Sequence, residues 1–144
     1  MSAKSAGSIR IALLVTALLL LLAACSKGTK DSALDDTLRA YGSHVRWGEF
    51  ELALGFVDPK VLEAKPVSGT DMERYRQIRM AGYRELSRDV TADGRISQVV
   101  EIEFTNIHTQ SIGSIVDRQL WRYDGEAKRW WLTTGLPDIT AARR

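Results

Sequence analysis

A chain of 144 residues with a formal charge of +2 at pH 7 is long enough for one ordinary domain and too short for two. The charge excess lies in residues 1–24, where Lys4 and Arg10 are the only charged side chains, and the remainder is balanced. A neutral domain lacks the basic surface that phosphate binding requires, so nucleic acid is not an expected partner. The hydrophobic and charged fractions, 44% and 26%, are those of a globular protein.

The first element in chain order is a leucine-rich segment with a basic start. Residues 1–10 are polar and basic, residues 11–22 are apolar apart from Thr16, and two alanines follow. A basic start, a short apolar stretch and small residues before a cleavage point are the parts of a secretory signal. The apolar stretch is shorter than the roughly 20 residues that a membrane-spanning helix needs, although an uncleaved anchor is the alternative. We therefore expect residues 1–24 to be a signal peptide.

The motif Leu22-Ala23-Ala24-Cys25 ends this segment. It resembles the lipobox of bacterial lipoproteins, in which an aliphatic residue and two small residues precede the cysteine that receives lipid. The resemblance implies cleavage before Cys25, a diacylglycerol thioether on its sulfur, and a further acyl chain such as palmitate on its new amino group. Several acyl chains make a durable anchor, so membrane lipid is the expected partner of Cys25. The chain has no other cysteine, which excludes an intramolecular disulfide.

The residue after the cysteine, Ser26, bears on the destination. In Gram-negative lipoproteins an aspartate there usually means retention in the inner membrane, so Ser26 resembles an outer-membrane address with the domain facing the periplasm. In other organisms the same motif implies a cell-membrane lipoprotein. We expect residues 25–31 to be the lipidated cysteine and a short tether, residues 32–136 a single α+β domain, and residues 137–144 a C-terminal tail.

Helical patterns open the predicted domain. Apolar residues recur at helical spacing over residues 32–45, which predicts a first helix. A second helix is predicted over residues 49–57, with Pro59 as its stop. A capping-box pattern that starts at Thr70 predicts a third, short helix toward residue 77.

From residue 78 onward the apolar pattern changes to a period of two, which indicates strands. Turn signals divide this region into four predicted strands, at residues 78–90, 96–108, 112–123 and 129–134. Short connections make sequential strands antiparallel neighbours. The predicted fold class is therefore α+β, with two to three N-terminal helices packed on a curved antiparallel meander of four or more strands.

This order of elements, together with "RWGEFELALGFVDP" at residues 46–59, resembles the nuclear transport factor 2-like superfamily. That fold is the cystatin-like cone shared with ketosteroid isomerases and polyketide cyclases. The resemblance covers residues 34–134 and implies a pocket between helices and sheet. The alternative is the fold of two helices and three strands found in small lipoproteins that support outer-membrane barrel assembly. The fourth strand and the extra capped helix favour the first.

The residues of the predicted pocket follow from assuming an uninterrupted register, in which even-numbered strand residues face the helices. This face contains no carboxylate, so the general base of an isomerase is missing from it. Arg118 lies on it between two apolar residues, where it pairs with a helix acid or, with Arg84, binds a small anion. His44 and His108 have no partner at a catalytic spacing. No catalytic residue, metal ligand or cofactor is predicted.

The odd-numbered face mixes aromatic and acidic residues. Aromatic side chains are enriched in interfaces, and members of the superfamily often dimerise through the outer face of the sheet. The predicted partner surface consists of Tyr83, Trp121, Tyr123 and Trp131. The sequence thus predicts a lipid-anchored envelope lipoprotein that acts as a non-catalytic accessory or interaction module, with an envelope protein or a second copy as partner. The alternative is a carrier of small anionic or apolar ligands, or a vestigial isomerase or cyclase, that uses the cone pocket.

Overall fold

The computed structural model describes residues 28 and 30–142. The chain divides into two compact units, residues 1–36 and 37–144. In the first unit the described residues are helical. The predicted signal peptide, the motif that ends in Cys25 and part of the predicted tether lie outside the described residues. The second unit contains the sheet.

Helices precede the sheet in the second unit, as the apolar spacing predicts. Their bounds are 37–46 for α1, Phe50–Ala53 for α2, Pro59–Ala64 for α3 and Gly69–Arg76 for α4, with a 3-10 turn at Leu54–Phe56. Leu38, Tyr41 and Val45 of α1 are buried. Because these residues recur every three or four positions, they form one continuous apolar stripe on the helix.

The helices differ from the predictions at several boundaries. The helix predicted over residues 49–57 is α2 followed by the 3-10 turn, and α3 was not predicted. Pro59 does not stop a helix but begins α3, because the Asp58 carboxylate accepts a backbone N–H of the first turn and proline suits a first helical position. The capping box lies at Ser68 rather than at Thr70. The Ser68 hydroxyl accepts the N–H of Asp71 at 3.1 Å, and Asp71 Oδ2 accepts the N–H of Ser68 at 3.1 Å.

The described residues form one four-stranded sheet in the order β1-β2-β3-β4. Every neighbouring pair is antiparallel, which confirms the α+β class and the meander. The strands are β1 at Ile78–Val90, β2 at Ile96–Asn106, β3 at Ile112–Asp124 and β4 at Arg129–Leu132. Beyond β4, Val57 forms a single parallel bridge with Leu132, so the segment before α3 borders this edge of the sheet.

The faces of β3 are opposite to the predicted ones. Phe104 of β2 lies opposite Gly113 of β3, so even-numbered residues of β2 share a face with odd-numbered residues of β3. The next hairpin pairs Tyr123 with Trp130 and returns β4 to even numbering. The prediction of one parity throughout was wrong because the length of each hairpin turn sets the register of the strand that follows it.

Strand β1 changes face twice along its own length. Its pairing with β2 skips Ala81 and Leu86, each of which is an extra residue in a β-bulge. Between the two bulges Tyr83 and Glu85 lie opposite buried residues of β2, on the face that had been assigned to even numbers. The bulges therefore bring a phenol and a carboxylate of β1 to the face that the helices cover.

We call this helix-covered side the inner face and the opposite side the outer face. Helix α1 contacts the inner face through Tyr41, whose ring meets that of Trp121 edge-on at 5.2 Å. Gly42 lets α1 approach closely, since a Cβ there would lie 2.9 Å from Cε1 of Tyr83. The inner face carries Tyr83, Glu85, Arg88, Gln98, Val100, Ile102, Phe104, Ile115, Asp117, Gln119, Trp121, Tyr123, Trp130 and Leu132.

Candidate functional site

A polar cluster crosses the inner face from β1 to β3, and we define it as Tyr83, Glu85, Gln98, Asp117 and Gln119. Gln98 lies opposite Gln119, and Val100 separates Glu85 from Asp117 in the adjacent cross-strand row. The prediction that this face has no carboxylate was therefore wrong. The bulges of β1 place Glu85 there, and the hairpin register of β3 places Asp117 there.

Gln119 holds the centre of the polar cluster. Its Nε2 donates to Asp117 Oδ2 at 2.9 Å and to the Tyr83 hydroxyl at 3.1 Å. Its Oε1 accepts Trp121 Nε1 at 3.3 Å. Both ends of the amide are thus engaged, and only 1% of the residue is exposed. Because a buried amide in a satisfied network has one favourable orientation, Gln119 fixes the positions of the Asp117 and Tyr83 side chains.

Burial controls the acidity of this site. It raises the pKa of the Asp117 carboxyl, and the hydrogen bond from Gln119 only partly offsets the effect. Burial also raises the pKa of Tyr83 to about 12, although the Gln119 contact works against it, and the charge of Asp117 raises it further. A carboxyl that binds a proton more readily than usual, beside a neutral phenol, is a group capable of acid–base chemistry.

A second phenol, that of Tyr41 on α1, lies close enough to Asp117 to be affected by its charge. The Tyr41 hydroxyl is buried and makes no hydrogen bond in the described part of the chain. Burial, and then the charge of Asp117, raise the pKa of Tyr41 well above its usual value. An unsatisfied buried hydroxyl is unfavourable unless a further polar atom reaches it. Tyr41 and Tyr83 therefore supply two hydroxyl groups near Asp117.

Glu85 has a different role from Asp117, although both carboxylates are on the inner face. Arg88 Nη2 donates to Glu85 Oε2 at 2.7 Å, and Gln98 Nε2 donates to the same oxygen at 2.5 Å. Glu85 and Arg88 are both exposed residues at the β1 end of the sheet. Glu85 is thus an ion-paired residue at the rim, and Asp117 is the carboxyl whose ionisation the fold disfavours.

Beside β4 the inner face is filled by aromatic rings. Trp121 is 0% exposed and Trp130 is also buried. The ring of Trp130 contacts that of Tyr123 at 5.3 Å, and Tyr41 lies against Phe56 at 5.9 Å on the other side. Aromatic side chains therefore pack closely together on this side of the sheet.

No protein-family model, curated protein or solved structure matches the chain. None of the helices in the described part of the chain combines the length and the hydropathy that crossing a bilayer requires. Within residues 28 and 30–142 no group of three or more His, Cys, Asp or Glu residues is arranged to hold a metal ion. The interpretation of the site therefore depends on the geometry of its own side chains.

The two predicted ligand-binding arginines are on the outer face, so their assignment to the pocket was wrong. Arg84 forms an ion pair with Glu101 there. Arg118 lies opposite Val99 and is exposed. The register of β3 and the first bulge of β1 put both arginines on the side away from the helices. The two arginines therefore do not line the space between helices and sheet where the small anion is expected.

Three of the four residues of the predicted partner surface are also on the other side of the sheet. Trp121 is fully buried and cannot contact a partner in this conformation. Tyr83 and Tyr123 lie on the inner face. Trp131 is on the outer face as expected, half-buried, with the Arg129 guanidinium 3.8 Å from its ring centroid.

Neither histidine joins the polar cluster. His44 Nδ1 lies 2.8 Å from Glu49 Oε2, which connects α1 to the turn after it. His108 lies in the β2–β3 turn, where its backbone N–H donates to Asn106 Oδ1. Sequence reasoning missed Asp117 and Gln119, although the turn that starts at Asn106 gave a usable signal. An asparagine-capped turn of defined length fixes the register of β3 and hence the face of both residues.

Proposed function

We propose that the chain is an exported lipoprotein, anchored by acyl chains on Cys25, whose domain is a non-catalytic accessory or interaction module of the envelope. The proposal includes a nuclear transport factor 2-like domain that faces the periplasm from the outer membrane in a Gram-negative cell. Helices followed by a four-stranded antiparallel meander support the domain type. The observation that supports the non-catalytic role is the burial of Trp121 and Trp130 on the inner face beside β4.

Because aromatic rings pack on the inner face beside β4, we place the partner surface on the outer face of the sheet. We define an outer patch as Val99, Val116, Arg118, Leu120 and Trp131. Val99 and Arg118 are cross-strand partners, Leu120 lies further along β3, and Val116 is 48% exposed. Tryptophan and arginine are enriched at interface centres, and the valines and Leu120 add apolar surface around them. The outer patch therefore replaces the predicted partner surface, of which it keeps Trp131.

Crosslinking in intact cells tests the outer patch. We expect the wild-type chain to capture one defined partner, either an envelope protein or a second copy of itself. The double substitution Val116→Asp/Arg118→Glu should abolish this capture because it puts acids into the patch without touching the core. Leu52→Asp is the control, since Leu52 on α2 is 55% exposed and lies outside the patch, and it should leave capture intact. If the double variant captured the partner as well as Leu52→Asp does, the outer patch would not be the partner surface.

The anchor is tested separately from the patch. Cys25→Ser should abolish metabolic labelling with palmitate and release the domain from the membrane fraction, because serine cannot form the thioether. In a Gram-negative host Ser26→Asp should keep the label and move the protein to the inner membrane. Labelling that persists in Cys25→Ser would contradict the lipobox, and membrane retention without label would favour an uncleaved anchor.

A small-ligand carrier or vestigial isomerase is the second candidate, and one specific observation favours it. Asp117 is a carboxyl of raised pKa close to the phenols of Tyr41 and Tyr83. An apolar carbonyl compound could receive hydrogen bonds from the phenols while Asp117 exchanged a proton with it. Saturable quenching of tryptophan fluorescence by such compounds, lost in Asp117→Asn, would support this candidate. Quenching that is absent or unchanged in the variant would exclude it.

A further inference from the structure

A cleft outside the inner face lies among α3, α4 and the segment of residues 134–140. Its volume is ≈ 390 Å³, which falls in the range of about 300 to 1,000 Å³ typical of small-molecule sites. The side chains that give it an apolar lining are Val61, Leu62, Val67, Tyr75, Leu136 and Ile139. We propose that this C-terminal cleft binds a medium-chain alkyl carboxylate, with the alkyl chain on the apolar lining and the carboxylate at Lys65.

The wall of the C-terminal cleft is held in place by the fold. The Tyr75 ring stacks on Phe50 with centroids 4.2 Å apart. Its hydroxyl donates to the Pro137 carbonyl at 2.8 Å, which ties α4 to the C-terminal segment. Pro137 is itself fully buried. The two sides of the cleft are therefore joined before any ligand arrives, and a preformed wall lowers the entropy cost of binding.

The polar groups around the cleft select the sign of the ligand charge. Asp71 accepts from the Ser68 backbone and from Arg74 Nη1 at 2.9 Å, and Asp138 Oδ1 accepts the Thr140 N–H at 3.0 Å. Both carboxylates thus already have donors from their own chain. The exposed Lys65 is close enough to both carboxylates for its charge to lower the pKa of Asp71 and of Asp138, but it forms no hydrogen bond or ion pair with either. Because lysine has three donors and no acceptor, its ammonium is free to bind a ligand carboxylate at the mouth of the cleft.

Photoaffinity labelling of the full chain in lipid nanodiscs tests this proposal directly. The probe is decanoic acid that carries a diazirine on its alkyl chain, and labelled residues are located by peptide mass spectrometry. We expect labelling in α3 and in residues 134–140, with competition by octanoate and not by octylamine. A second cleft of ≈ 260 Å³, lined by Phe104 and Ile112, lies on the other side of Arg74 and Ile139. Labelling confined to it would overturn the assignment.

Two substitutions test the charge of Lys65 and the apolar lining of the cleft separately. Lys65→Ala should lower labelling about three- to fivefold, which is the effect of one partly exposed ion pair. Lys60→Ala is the matched control, because Lys60 is an exposed lysine of α3 that does not line the cleft, and it should change nothing. Val67→Trp should abolish labelling by filling the cleft. Circular dichroism confirms that each variant is folded, and equal labelling of Lys65→Ala and wild type would refute the role of Lys65.

Discussion

The inner face beside β4 and the inner face beside β1 are filled in different ways. Beside β4 the buried residues are aromatic and aliphatic, and we call this set the aromatic half: Tyr41, Phe50, Trp121, Trp130 and Leu132. Toward β1 lies the polar cluster, in which hydrogen bonds join Gln119 to Tyr83 and Asp117, and Gln98 to Glu85. The same helix, α1, contacts both, through the Tyr41 ring and through Gly42.

The difference between the two regions indicates which one mainly stabilises the domain and which one contains the group with a shifted pKa. Apolar burial is non-directional and grows with area, so the aromatic half stabilises the domain without needing a unique hydrogen-bond pattern. The polar cluster gains little net energy from its hydrogen bonds but loses much if one partner is removed. It also contains Asp117, whose ionisation is disfavoured at its position. We therefore expect substitutions in the aromatic half to change stability most and substitutions in the polar cluster to change its pH dependence.

The largest effect is expected from Trp121→Ala. Removal of a fully buried indole should lower the free energy of unfolding by about 3 to 5 kcal/mol, because both transfer energy and a cavity are involved. Urea unfolding followed by circular dichroism measures the change. Trp47→Ala is the control, since Trp47 is 75% exposed, and it should stay within about 0.5 kcal/mol of wild type. Similar losses in the two variants would contradict the placement of the aromatic half.

A smaller loss in the free energy of unfolding is expected from a substitution at the edge of the aromatic half, where Asp58 joins β4. Asp58 is 4% exposed, and Arg122 Nη2 donates to its Oδ2 at 2.7 Å. Burial would raise the pKa of Asp58, but the hydrogen bonds from Arg122 and Lys60 bring it below the usual value. Its stabilisation is therefore present at neutral pH and is lost as the pH falls through the folded-state pKa.

Asp58→Asn should accordingly cost about 1 to 2 kcal/mol at pH 7, a figure reduced because the Arg122 side chain is partly exposed. The loss should shrink as the pH falls below about 3.9, where the carboxyl is protonated in the unfolded wild-type chain. Thermal unfolding between pH 3 and pH 7 measures both. A pH-independent difference would mean that the ion pair does not lower the pKa.

The close approach of α1 to the polar cluster gives the third prediction. Alanine is favoured over glycine by about 1 kcal/mol in a helix interior. In Gly42→Ala, however, the new Cβ would lie 2.9 Å from the Tyr83 ring, and such overpacking costs about 1 to 3 kcal/mol. We expect a net loss of about 1 kcal/mol in urea unfolding. The loss should reverse to a gain in a Tyr83→Ala background, and the same loss in both backgrounds would rule out the contact.

The smallest effect, and the one with the opposite sign, is expected at Asp117. Because burial raises its pKa in the folded state, the contribution of Asp117 to stability is fully present below the unfolded pKa and is lost as the pH rises through the folded pKa. Asp117→Asn removes this penalty and keeps an oxygen that can accept from Gln119. The variant should be more stable than wild type at pH 7, with a gain that disappears toward pH 4. If the gain in stability instead grew as the pH fell, folding would lower the pKa of Asp117 rather than raise it.

Local patterns in the sequence are sufficient for the elements and for part of the core. Apolar spacing marks Leu38, Tyr41 and Val45, and these residues are buried. Strand β1 begins and ends at the predicted residues, and the other three strands agree within two residues at each end. The spacing of apolar residues and the choice of turn residues depend on near neighbours in the chain, so both can be read from the sequence alone. The class of the fold follows from their order.

The faces of the sheet depend on the tertiary structure. The bulges at Ala81 and Leu86 bring Tyr83 and Glu85 to the inner face, and the register between Phe104 and Gly113 puts Asp117 on that face and Arg118 on the outer face. A single-residue shift in register moves every later side chain to the other face, and local propensity is nearly indifferent to that shift. The amino-acid sequence by itself therefore determined the four strands and the helices of the domain other than α3. Pairing across distant strands decided which residues share a site, because that choice depends on how much apolar surface each register buries.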